Sequence, residues 1–423
     1  MPNDETTVMI NPSFHLQAGC HERDDPAYKA YRARWHKNPA NNVVERFPVH
    51  LDIETTSACN LRCPMCFQAQ ADTRPDYGFM RWDLFTRLID EGSEKGLASI
   101  KLQYRGEPLL SDNLEEMVAY AKQKGVIEVM FNTNATLLDS KRARALIDAG
   151  LDKIICSVDG HTPEVYNPIR VFPKRPGDFD LVLRNIQGLR RLREELGSAH
   201  PLIRVQMVDM PENHAYVQEY TDFWMQNGAD AVAIEEKLDY FGEFVSLSLS
   251  RAEADRAIYP EFQCEQPWQR LFVLWNGKVT MCCGDHYHRL PLGQLFMPDE
   301  QEELTAQLAH ARTRGAAETR DGLLEVTPAT RMREVRKLVG RLDSHDELSL
   351  VGVRDEYDNL VQARATIEEI WSGETLQRVR HAHRGGRSHE ISVCASCSLR
   401  DAAHRNYNKQ NGNPDDATQK VPA

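Results

Sequence analysis

Between residues 48 and 237 the hydrophobic pattern changes period again and again: short apolar, β-branched runs alternate with longer amphipathic stretches of helical spacing. The runs at 49–54, 99–103, 127–131, 153–157, 203–208 and 231–235 read as strands, and 82–95, 114–124, 140–149, 179–196 and 214–227 read as the helices between them. A helix between two strands carries the chain back to the starting end, so neighbouring strands run parallel and the helices cover the sheet. The pattern therefore predicts an α/β fold of six repeated units. In closed or partly closed sheets of this kind, reactive groups gather at the carboxyl ends of the strands.

Directly after the first strand stands SACNLRCPMCFQAQ, in which Cys59, Cys63 and Cys66 form a CxxxCxxC triplet. A cubane iron–sulfur cluster has four irons, so three closely spaced thiolates leave one iron open to a non-protein ligand. Zinc is the competing reading. A zinc knuckle pairs its CxxC with a second CxxC or a His pair, and no fourth ligand lies near this triplet.

The triplet resembles the signature of the radical S-adenosylmethionine (SAM) enzymes, with one departure: Met65 stands where an aromatic residue is usual, and Phe67 follows the last cysteine. The resemblance implies a partial (β/α)6 TIM barrel over 48–237, with a [4Fe–4S] cluster on the three cysteines and SAM chelated at its open iron. It further implies reductive cleavage of SAM to a 5′-deoxyadenosyl radical, fed by an electron donor such as flavodoxin or ferredoxin. Polar groups fall where such a site wants them. After the second strand, Tyr104-Arg105-Gly106-Glu107-Pro108 looks like the family's GGEP motif with Arg105 in place of the first glycine. Here Gly106 is expected to admit backbone close to the ligand, and Glu107 to accept hydrogen bonds from the SAM ammonium. Asn132 and Ser157 end the third and fourth strands, Gln206 lies on the fifth, and Arg170 is a partner for the SAM carboxylate. Each of these taken alone is ordinary turn chemistry; their order behind the triplet is what points to cofactor binding.

A second set, Cys264, Cys282, Cys394 and Cys397, gives Cys-x17-Cys, a long gap, then CxxC. The first pair brackets a hairpin with Asn276-Gly277 at its turn. Spacing alone leaves zinc and iron–sulfur open. Behind a radical SAM core, however, Cys-x12-Gly-x4-Cys resembles the opening of SPASM and twitch domains, which carry auxiliary [4Fe–4S] clusters. A full SPASM domain continues with further cysteines, and 398–423 contains none. The resemblance thus implies one auxiliary cluster in a domain spanning 264–400, similar to the twitch domain of 2-deoxy-scyllo-inosamine dehydrogenases. Four protein ligands leave no iron open, so the cluster's role there is electron transfer.

Cys283, beside Cys282, is a spare thiol: either packed in the core or a hydrogen-atom donor, which would turn a dehydrogenase into an epimerase. Strand alternation turns Cys156 away from Ser157, toward the helices. Arg204 and Gln206, with Glu235, Glu236, Asp239 and Tyr240, lie near the barrel mouth, and Glu236 is the carboxylate chosen as a general base.

With 63 acidic against 51 basic residues the net charge is −12, which disfavours nucleic acid as a partner. No stretch has the length of a membrane span, and the start carries acids rather than a signal core, so a cytoplasmic location with reduced thiols is expected. Residues 1–47 read as a polar leader and a helix at 28–37; 238–263 as a linker; 298–364 as a charged, helix-patterned insertion; 365–383 as the helix before the CxxC; and 401–423 as a disordered tail. The function these readings imply is a radical SAM oxidoreductase that takes hydrogen from a small polyol, aminocyclitol or sugar-like alcohol, with the auxiliary cluster as electron acceptor. The alternatives are an epimerase or a SPASM-type peptide or protein maturase.

Overall fold

A computed structural model describes residues 14–19, 23–69, 77–236, 263–295, 362–395 and 397. The linker up to residue 262, the insertion before residue 362, Cys20 and the tail lie outside the described residues.

The strands are β1 (Phe14–Gly19), β2 (His50–Ile53), β3 (Ser99–Lys101), β4 (Glu128–Thr133), β5 (Lys153–Ser157), β6 (Leu202–Asp209), β7 (Ala231–Glu236), β8 (Arg270–Val273), β9 (Lys278–Thr280), β10 (Gly293–Leu295) and β11 (Gln362–Ala365). They form one sheet in the order β1-β7-β6-β5-β4-β3-β2-β8-β9-β10-β11. From β2 to β7 every neighbour is parallel and consecutive. Helices α1 (Pro26–Ala40), α2 (Trp82–Lys95), α3 (Leu114–Gln123), α4 (Ser140–Asp148), α5 (Pro163–Ile169), α6 (Phe179–Glu195) and α7 (Val217–Gln226) accompany this core. The six-unit α/β arrangement is as the periodicity predicts.

α2 illustrates how the sequence fixes these units. Leu84, Phe85, Leu88, Ile89 and Gly92 fall on one face and are buried, and Asp83 and Lys95 sit at the ends that suit their charges. Gly96 stops the helix with φ 95°, a left-handed conformation that glycine adopts without penalty. The buried faces meet one side of the sheet, where Leu51, Ile53, Ile100, Val129, Phe131, Ile154, Cys156, Val205, Ile234 and Leu271 share a continuous core with the helices. Alternation turns the intervening residues, His50, Asp52, Lys101, Glu128, Arg204, Gln206, Glu235 and Arg270, to the barrel interior.

Two edges differ from the sequence reading. The segment read as a polar leader contributes β1, antiparallel to β7. The cysteine hairpin β8–β9 does not stand apart from the core: β8 runs parallel to β2, with His50 opposite Arg270 and Ile53 opposite Val273. The stretch at 365–383 is two helices, Ile367–Ser372 with a Thr366/Glu369 capping box and Glu374–Arg384, separated by Gly373. α1 closes the amino-terminal end of the barrel, where Tyr28 and Tyr31 pack on Val49 and Ala98 and Trp35 meets His50 edge-on at 5.5 Å.

Candidate active site

The cysteine triplet follows β2 in a loop tied down by its own polar side chains. Thr56 Oγ1 accepts the Ala58 amide at 3.0 Å and donates to the Gly78 carbonyl at 2.8 Å. Gln68 donates from Nε2 to the carbonyls of Ser57 and Arg105, at 3.1 and 2.9 Å, and Arg62 donates to the carbonyls of Cys59 and Leu61, both at 2.7 Å. Asn60 joins the loop after β4, donating to Thr136 Oγ1 and accepting from Asn134 Nδ2, each at 2.8 Å. Gln68 and Asn60 were not singled out in the sequence, because a lone amide carries no periodic or motif signal.

A cavity of about 140 Å³ opens over this loop, lined by Cys59, Cys63 and Cys66 together with Gln103, Gly106, Glu107, Asn132, Ser157 and Arg170. The strand ends, with Arg170 from the end of α5, thus bring expected cofactor residues into one cavity with the three thiols. Burial raises all three thiols above their ordinary value; at Cys59 the Glu107 carboxylate raises it further, while at Cys63 Arg170 acts in the opposite sense. No protein cation outweighs that burial, so a bound cation cluster is the partner that would make thiolates of them. Asn132 Oδ1 is buried without a hydrogen-bond partner among the described residues. Thiol donors and an orphaned polar atom in one cavity lining fit a cluster with a polar ligand upon it.

Several predicted residues have other partners as well. A Cβ on Gly106 would lie 2.2 Å from the Thr56 carbonyl oxygen and 2.5 Å from that of Ala58, so glycine there admits the backbone of the cysteine loop, and Gly106 also lines the cavity. Glu107 is buried, and its Oε1 accepts from Thr133 Oγ1 at 2.6 Å and the Leu109 amide at 3.1 Å, while Oε2 accepts the Asn134 amide at 2.7 Å. Burial raises this carboxyl above its ordinary value in spite of those donors. Oε2 keeps lone-pair capacity for one further donor. Arg170 is paired through Nε with buried Asp159 and reaches the cavity from that anchor. Gln206 is not among the residues lining this cavity; its Oε1 accepts from Arg204 at 2.5 Å. Ser157 lines the cavity and pairs in register with Gln206.

Arg105, standing where the motif has glycine, is buried and bidentate on Glu54, with Nε–Oε1 at 2.6 Å and Nη2–Oε2 at 2.9 Å. Its Nη1 donates to the His286 carbonyl at 3.1 Å, and Tyr104 donates its hydroxyl to the Cys282 carbonyl at 3.2 Å. Phe67 stacks on the His286 ring, 4.3 Å between centroids and 3° between planes. One loop therefore carries the third cysteine of the triplet next to the loop that follows Cys282.

The cysteines of the second set influence one another electrostatically. Cys264 lies in the electrostatic reach of Cys397, and Cys282 in that of Cys397 and Cys394. Burial raises Cys264, and the neighbouring Cys283 thiol together with burial raises Cys282. Cys283 lies in the electrostatic reach both of Cys264 and of Glu235 in the barrel. Its Sγ accepts from Gln266 Nε2 at 3.0 Å and its amide donates to Gln266 Oε1 at 3.0 Å, while the thiol is held below its ordinary value first by the hydrogen bond with Cys282 and then by Arg270.

Inside the barrel, Asp52 is buried against Lys101 and Arg270, each at 3.3 Å, and His50 at 3.4 Å. Burial pushes the Glu235 carboxyl up, while Arg204 and then Lys101 pull it down and Cys283 pushes it up again. The side chain of Glu236, the carboxylate chosen from sequence, lies outside the described residues, as do Asp239 and Tyr240. It is Glu235 that strand alternation turns inward.

Two family models match regions that hold cysteines of the two sets. A model of the radical SAM superfamily matches residues 53–220, and one of an iron–sulfur cluster-binding domain, SPASM, matches 264–307. The chain is 30% identical over 200 residues to the tungsten-containing aldehyde ferredoxin oxidoreductase cofactor-modifying protein of Pyrococcus furiosus, covering 47% of this chain and 54% of that protein. It is 38% identical over 113 residues to the GTP 3′,8-cyclase of a Synechococcus species, covering 26% of this chain and 32% of that protein. The chain thus spans between a third and about half of the length of these relatives. Among solved structures, BtrN in complex with AdoMet and 2-DOIA aligns over 84% of this chain and 94% of its own, at 16% identity and a TM-score of 0.42. Among the described residues, no helix is long and apolar enough to cross a membrane.

Proposed function

We propose, for a chain that joins a radical SAM domain to a SPASM-type iron–sulfur domain, the dehydrogenation of a small polyol, aminocyclitol or sugar-like alcohol between its two cluster sites. When bound, the cluster on Cys59, Cys63 and Cys66 and its SAM supply a hydrogen-abstracting radical, and the cluster on Cys264, Cys282, Cys394 and Cys397 supplies a one-electron acceptor. Glu107, Asn132, Ser157 and Arg170 would hold SAM in the cavity they share with the triplet.

The observation that carries the reading is the neighbourhood of Glu235. Its carboxyl lies in the electrostatic reach of Arg204, Lys101 and Cys283, so the barrel interior gathers a carboxylate, two cations and a thiol of the auxiliary segment. Such a polar neighbourhood suits a small, hydrogen-bonding substrate better than an apolar one. Loss of a hydrogen atom from a carbinol carbon, of the hydroxyl proton to Glu235 and of one electron to the auxiliary site turns an alcohol into a ketone with nothing left over. Arg204 and Lys101 favour the step by stabilising the developing alkoxide.

The test is anaerobic reconstitution followed by a screen of cyclitols, aminocyclitols and sugars, each deuterated at a carbinol carbon. The expected result is a carbonyl product formed in step with 5′-deoxyadenosine that carries the deuterium. Turnover of peptides alone would transfer the reading to a maturase.

Epimerisation is the second reading, favoured by the electrostatic reach of Cys283 to Glu235. There the thiol gives a hydrogen atom to the substrate radical, and the resulting sulfur radical is restored by one electron from the reduced auxiliary cluster and a proton from solvent. A Cys283→Ala variant that still cleaves SAM but no longer returns an epimer is the outcome specific to that reading; unchanged ketone formation in the variant is the outcome expected of a dehydrogenase.

A further inference from the structure

On the buried face of the helix Glu374–Arg384, the ring of His383 lies between two of the auxiliary cysteines that are distant in sequence. The Cys264 amide donates to His383 Nδ1 at 3.3 Å, and His383 Nε2 stands 3.5 Å from Cys394 Sγ. An amide nitrogen only donates, so Nδ1 is an acceptor and carries no hydrogen. The one hydrogen of the neutral ring is then on Nε2, aimed at the Cys394 sulfur.

The ring has little freedom to leave this position. Trp268 meets it edge-on, with centroids 6.5 Å apart and planes at 89°. Arg380, one turn earlier on the same helix, donates to the carbonyls of Pro267 at 2.9 Å and Trp371 at 2.8 Å and stacks over the Trp371 ring at 4.2 Å. These bonds fasten the helix to the segment that bears Cys264. His383 follows Arg380 onto that same inward side, so the two ends of the cysteine set are joined through one imidazole.

We propose that His383 is a positioning residue of the auxiliary cluster, holding the Cys264 backbone with one nitrogen and donating a hydrogen bond to the Cys394 sulfur with the other. The proposal rests on the reading of Cys264 and Cys394 as ligands of that cluster. A donor on a ligating sulfur stabilises the more negative, reduced cluster, so His383 raises the reduction potential and makes the cluster a better electron acceptor.

The experiment uses the full chain carrying Cys59→Ala, Cys63→Ala and Cys66→Ala, reconstituted anaerobically so that only auxiliary iron remains. Iron is counted, and the midpoint potential is followed by electron paramagnetic resonance for this parent and for His383→Phe and His383→Gln. The expected result is full iron with a more negative potential in the Phe variant, and a potential nearer the parent in the Gln variant, whose amide keeps both an acceptor and a donor. Loss of iron with Phe and retention with Gln supports the same role. An unchanged potential with full iron in the Phe variant overturns the proposal, and so does equal loss of iron in both variants. A parent that holds no auxiliary iron would instead overturn the ligand assignment.

Discussion

Arg105 and Glu54 are paired inside the protein by two parallel hydrogen bonds of 2.6 and 2.9 Å, and the guanidinium also holds the His286 carbonyl. The pair lies where the core strand β2 ends and the auxiliary loop arrives. Removing one member leaves the other charged and buried, which costs about 3–5 kcal/mol. Arg105→Met is expected to lower stability to guanidinium by that order, and the Arg105→Met, Glu54→Gln double variant to recover part of it. Denaturation of the reconstituted single and double variants yields the coupling directly.

The two cysteine sets make separate contributions to metal content. Changing Cys59, Cys63 and Cys66 together to alanine is expected to lower bound iron from about eight to about four per chain and to abolish 5′-deoxyadenosine formation. Iron and sulfide analysis with zinc measured in parallel checks this. Four irons in the unaltered chain with zinc at the second set would remove the electron acceptor and the dehydrogenase reading with it.

Asp52 sets an acid limit on stability. Burial would raise its carboxyl, but Lys101 and Arg270, and after them His50, outweigh burial and hold it well below the ordinary 3.8. A carboxyl lowered on folding contributes stability that is complete above pH 3.8 and is lost as pH falls toward its folded value. Asp52→Asn is therefore expected to be less stable than the parent at neutral pH and to show a smaller loss between about pH 5 and pH 2. Thermal melts across that range measure the difference.

Glu235→Gln is expected to lower ketone formation by a factor of about 10² to 10⁴ while leaving SAM cleavage in place. Burial holds the Glu235 carboxyl above its ordinary 4.5, so in the parent the rate rises with pH through a value above 4.5 as the base form appears. The Gln variant loses that rise. Product and 5′-deoxyadenosine quantified together over pH separate the two effects.

Local periodicity was enough to find elements whose pattern is carried by their own residues. Lys153–Ser157 and Trp82–Lys95 are read end to end, because one is a bounded β-branched run and the other has a single apolar face closed by Gly96. β1 was missed because what makes Phe14–Gly19 a strand is its distant partner β7. The attachment of β8 to β2 was missed for the same reason: hairpin chemistry at Asn276-Gly277 speaks of β9 and is silent on the other edge. In the candidate site, the cysteines and the cavity residues Glu107, Asn132 and Ser157 stand out by residue type and position. The opposite holds for the pairings of Arg105 with Glu54 and of His383 with Cys264, which join residues far apart along the chain. The close approach of the cysteine-loop backbone to Gly106 is a contact between distant segments that its motif does not carry.

The parallel pairing of β8 with β2 also ties the order of synthesis to the order of folding. As the chain leaves the ribosome, β2 through β7 can assemble with the His50–Ile53 edge still open, and only the later arrival of residues 270–273 covers it. An open edge beside the cysteine loop is a template for unwanted pairing between nascent chains. A truncation ending after β7 would keep all three cysteines of the triplet and yet expose that edge permanently, so such a fragment should aggregate rather than persist as a free-standing catalytic half.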